Sequence, residues 1–140
     1  MSTADASAFV CDTFDALLLL LEDARDHIGG GMGPEISPAS RMRAAQELSR
    51  LTNRATAAMS LLLMAKALEE GQDLGGGDLA ARAAGILADI GRPANAAPAP
   101  DAPVPPALTA LVERGDALFA RMPRVHDHVR ALLDGGAHGS

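Results

Sequence analysis

The sequence predicts an all-α protein: an antiparallel three-helix bundle with a short extra helix and a Pro/Ala-rich linker before the last long helix. Three observations carry that prediction. Alanine, leucine and methionine are abundant, Trp and Tyr are absent, and Phe occurs only three times. Such a composition lacks the β-branched and aromatic residues that strands favour. Apolar residues recur at alternating spacings of three and four through three long segments, the pattern of packed helices. Finally, the stretch from Ser37 to Gly71 carries helix signals at both ends. Ser37 offers an N-cap oxygen, Pro38 takes the first helical position, and Gly71 supplies a left-handed stop.

The first helix is expected from about Ser7 to Ile28, ending at Gly29-Gly30-Gly31. Its seam reads Val10, Phe14, Leu17, Leu21, Ala24 and Ile28, with Leu18, Leu19 and Leu20 outside it as surplus apolar surface. A loop with four glycines and a proline between Gly29 and Ile36 then breaks the chain. The second helix, roughly 50 Å long at 1.5 Å per residue, has the seam Ala44, Leu48, Leu51, Ala55, Ala58, Leu62 and Ala65. After a turn from Gly71 to Gly77, Asp78 caps a short helix over about Leu79–Ile90, stopped by Gly91 with Pro93 behind it. Leu79, Ala83, Ile86, Leu87 and Ile90 form its apolar stripe. The segment from Arg92 to Pro106, mostly Pro and Ala, reads as a mobile linker. The last helix begins near Pro106 with the seam Leu108, Leu111, Gly115, Leu118, Met122, Val125, Val129 and Leu132. Its heptad phase passes through Pro123 unchanged, which favours one kinked helix over two. The tail from Gly135 is expected to fray.

At 140 residues the chain is one domain by size, residues 1–140, with flexible segments at 29–36, 71–77, 92–105 and 135–140. The net charge of −6 argues against nucleic acid, whose phosphates need a cationic surplus. Its single cysteine, Cys11, cannot form an internal disulfide, as suits a reducing compartment. The uncharged runs are too short for a bilayer, and the N-terminus lacks a basic signal-peptide region. A cytoplasmic location without membrane attachment is expected.

No catalytic constellation emerges, so an enzyme, a cofactor and a metal centre are not expected. His126 and His128 stand at i and i+2, about 200° apart on a helix, and would meet at one metal ion only if the segment after Pro123 unwound. Cys11 has Asp12 beside it and no histidine in the same turn, which suits a half-buried structural thiol better than a nucleophile. The acid pairs Glu22-Asp23 and Glu69-Glu70 are sequence neighbours that diverge by about 100° and do not converge on a substrate.

Two surfaces are candidates for binding. Met59, Leu61, Leu63, Met64 and Leu68 exceed what the second seam needs, so either the short helix covers them or they form a homodimer or partner interface. Arg43, Arg50 and Arg54 share one helix face with Glu47. They read either as a salt-bridged solvated face or as a docking patch for an acidic partner.

Three blocks of sequence also resemble a known family. The run Ser49-Arg50-Leu51-Thr52-Asn53-Arg54, continued by Ser60-Leu61-Leu62-Leu63 and Ala67-Leu68-Glu69-Glu70-Gly71, resembles the second-helix pattern of the alphaproteobacterial RcdA-like family. Asp89-Ile90-Gly91-Arg92-Pro93 is similar to the segment before that family's linker. Pro106-Ala107-Leu108, Leu111-Val112-Glu113-Arg114 and Leu118-Phe119-Ala120-Arg121 are similar to the start of its last helix. The blocks keep their order from residue 41 to 122. The resemblance implies a dimeric three-helix bundle without enzymatic activity, related to a cell-cycle adaptor that delivers the regulator CtrA to the protease ClpXP. Its partners would be ClpXP, a CpdR-like response regulator and a CtrA-like substrate. The chain departs from the family pattern in lacking an aromatic near Leu61, in Pro123, and in a short C-terminal tail.

Overall fold

A computed structural model describes residues 2–29, 37–74, 78–91 and 102–138, and among these every regular element is helical. Helix α1 spans Thr3–Gly29, α2 Pro38–Glu69, α3 Leu79–Gly91, α4 Pro106–Phe119 and α5 Met122–His138.

The helix ends follow from local chemistry. Ser37 caps α2, its hydroxyl oxygen accepting the Ser40 amide at 3.1 Å, with Pro38 at the first position. At the other end Gly71 adopts φ +73°, and the Gln72 amide donates back to the Ala67 carbonyl at 2.9 Å. That left-handed residue with its reversed hydrogen bonds is a Schellman stop. Asp78 caps α3, accepting the Ala81 amide at 3.0 Å. Helix α1 begins a turn earlier than the sequence suggests, because Ser2 accepts the Asp5 amide at 3.1 Å and serves as its cap.

The buried row of α1 is Ala6, Val10, Thr13, Leu17, Leu20 and Ala24. Thr13 and Leu20 therefore replace Phe14 and Leu21 in the expected seam, and those two are half-buried at its edge. Thr13 tolerates burial because its hydroxyl donates to the Phe9 carbonyl at 2.7 Å. The seams of α2, α3 and the last helices hold as read, with Leu48, Leu79, Ile86, Leu87 and Leu132 half-buried at their margins.

The final long helix is two helices rather than one kinked rod. Helix α4 ends at Phe119 and α5 starts at Met122, with Pro123 in its first turn. A proline amide there has no proton to offer, and a first-turn amide needs no intrahelical acceptor. Ala120 keeps a right-handed helical backbone across the joint, so the heptad phase survives and Leu118, Met122, Val125 and Val129 all reach the core. Helix α5 also continues through Gly135, where fraying was the expectation.

Cross-helix contacts set the directions. Ser7 meets Glu69 and Cys11 meets Lys66, so α1 and α2 are antiparallel. Arg43 meets Ala102, Arg54 meets Asp116, and Glu69 meets His128, so α4–α5 runs parallel to α2. The short α3 accounts for this. It packs on α2 and α5, and its last turn reaches Arg54 in the middle of α2, so it returns the chain along α2 before α4 starts. The short extra helix expected from the sequence is thus present, and it lies along the bundle's side, antiparallel to α2.

Helix α2 lies at the centre and packs against all four others. Small residues allow close approach: a Cβ placed on Gly115 of α4 would sit 2.5 Å from Leu51 Cδ1. Two segments expected to be flexible are tied within their described parts. Leu74 packs against the core, and Ala102 is buried with its carbonyl accepting from Arg43 Nη1 at 2.8 Å. The expected loop at 30–36, the turn at 75–77 and the linker at 92–101 lie outside the described residues.

Candidate functional site

The expected interface residues on α2 do not stay together at the surface. Leu61 and Met64 are buried within the chain itself, Met59 and Leu68 are half-buried against the core, and Leu63 alone stands out at 50% exposure. The surplus apolar half of α2 is covered by its own neighbours, α3 among them. This removes Leu61 and Met64 from any interface between folded molecules.

The three arginines are likewise engaged inside the fold. Arg43 holds the chain ahead of α4 through Ala102, and Arg50 pairs with Glu47 at 3.3 Å one turn away. Arg54 forms the densest junction. Its Nε donates to the Ile90 carbonyl at 2.7 Å, its Nη1 meets Asp116 Oδ1 at 3.1 Å, and its guanidinium lies 4.4 Å from the centroid of the Phe119 ring. The Ile90 carbonyl belongs to the last turn of α3, where carbonyls lack helical partners and a cation complements the helix dipole. A planar guanidinium can make these edge and face contacts together, which a lysine ammonium cannot.

Beside this junction an open cleft of about 480 Å³ is lined by Arg54, Leu87, Ile90, Asp116, Phe119 and Pro123, among others. Its walls are apolar and its rim carries one guanidinium and one carboxylate.

A second polar node joins three helices at the C-terminal end of α2. Glu69 Oε1 lies 2.7 Å from His128 Nε2, and Glu69 Oε2 accepts from the Ser7 hydroxyl at 3.1 Å. The residue types are those of a hydrolytic triad but the order is different. A nucleophilic serine needs the imidazole between itself and the acid, and here the carboxylate stands between hydroxyl and ring. The node fastens α1, α2 and α5. His126 does not join it, and its buried Nε2 lacks a partner. Among the described residues, no group of three or more His, Cys, Asp or Glu is placed to hold a metal ion.

Cys11 is half-buried, with its sulfur 3.8 Å from Lys66 Nζ. The acid pairs go separate ways: Asp23 bonds to Arg114 at 2.7 Å, Glu69 to its node, and Glu70 accepts from Gln72. All three phenylalanines carry a cation over the ring: Arg54 on Phe119, Lys66 on Phe14 and Arg124 on Phe9. Each of these contacts joins two different helices.

No family model, curated protein or solved structure matches this chain. The family resemblance therefore rests on its residues alone. Those residues meet in space: Arg54 from the first block holds Ile90 from the second and Asp116 and Phe119 from the stretch of the third. The Glu69–His128 pair and the Arg124–Phe9 contact were not read from sequence. Glu69 belongs to a block of the resemblance, but its partner lies 59 residues away, and no local spacing marks such a pair. No helix among the described residues is long and apolar enough to cross a membrane.

Proposed function

We propose that the chain is a non-enzymatic adaptor or scaffold, a helical bundle that presents its surface to protein partners. By the family resemblance, it would hold a CtrA-like substrate at ClpXP together with a CpdR-like response regulator. It would work in the cytoplasm as a homodimer, with no nucleic acid, membrane or cofactor involved. What supports this reading is the resemblance of the three sequence blocks, kept in order along the chain; Arg54, Ile90 and Phe119 from those blocks share one joint. The other polar groups with chemical potential, Ser7, Glu69 and His128, are occupied in holding helices together. Physically, an adaptor raises the effective concentration of substrate at the protease by binding both.

The test is a reconstituted degradation reaction with ClpXP, ATP, the response regulator and the substrate. Addition of this protein accelerates substrate loss if the reading holds, and an unchanged rate overturns the protease connection. A second reading is a structural or small-ligand-binding helical dimer of unknown role. A chain that dimerises in light scattering and leaves degradation unaffected supports that alternative.

A further inference from the structure

We draw no further inference here: the strongest candidate, the uncharged outer face of α2 that runs from Met42 through Ser49, Thr52 and Thr56 to Leu63, is a stripe of mostly small exposed residues, and nothing in the structure shows what covers it.

Discussion

Arg54 divides one guanidinium between α3 and α4, and its truncation should be felt in both. Arg54→Ala removes a charged hydrogen bond from a helix-end carbonyl and a ring contact, with an expected loss of about 2 kcal/mol in urea unfolding. The exposed pair with Asp116 contributes little of that, so Asp116→Asn should cost less than about 1 kcal/mol. Gly115 offers a different kind of test. Gly115→Ala presses on Leu51 Cδ1, the mobile end of a side chain, while gaining about 1 kcal/mol of helix propensity. Stability should change by less than about 1 kcal/mol, whereas Gly115→Leu overfills the same gap and should cost about 3 kcal/mol. At this scale the sequence was a poor guide. The arginines were visible as a face, but which of Ile90, Asp116 and Ala102 they reach depends on topology. The leucine run from 17 to 21 has no polar residue to mark its outward side, so Leu20 and Leu21 were exchanged in the expected seam.

At the scale of elements, capping chemistry was legible because it is local. Ser37, Pro38, Gly71 and Asp78 act within one turn of their own positions, and their side chains or backbone freedom announce it. Gly71 at φ +73° and Gly85 inside α3 make opposite predictions. Gly71→Ala places a Cβ in the left-handed region and should destabilise by about 1 kcal/mol. A Cβ added at Gly85 would meet nothing within 4 Å, and Gly85→Ala should stabilise by about 0.5–1 kcal/mol. Urea midpoints followed by circular dichroism at 222 nm distinguish the two signs. The joint at Ala120–Arg121 was less legible. Heptad phase records which side faces the core, and a single irregular turn that preserves phase leaves no trace in it.

On the scale of the whole molecule, helix directions were not written in the seams. A stripe on α3 shows that the helix packs, not that it carries the chain back along α2 and makes α4–α5 parallel to it. If α3 is integral to the bundle, its amides and those of the second half of α2 should exchange with solvent with the same opening free energy, in one cooperative transition. Earlier exchange confined to α3 would show it to be an appendage. The candidate interface on α2 illustrates the same point about scale. Residue counts showed more apolar surface than a three-helix seam needs, and the fourth direction of packing consumed most of it.

The three cation–ring contacts have a consequence for how this fold comes apart. Each couples a different pair of helices, so the aromatic side chains serve as sockets for positive charge as well as filling volume. Guanidinium ion has the same planar cation that Arg54 and Arg124 place over their rings, and it can occupy those sockets in solution; urea cannot. Beyond the roughly twofold greater potency that guanidinium chloride has for ordinary domains, this molecule should therefore show an excess sensitivity to it. That excess should shrink when Phe119 is replaced by leucine, which keeps the bulk and removes the socket.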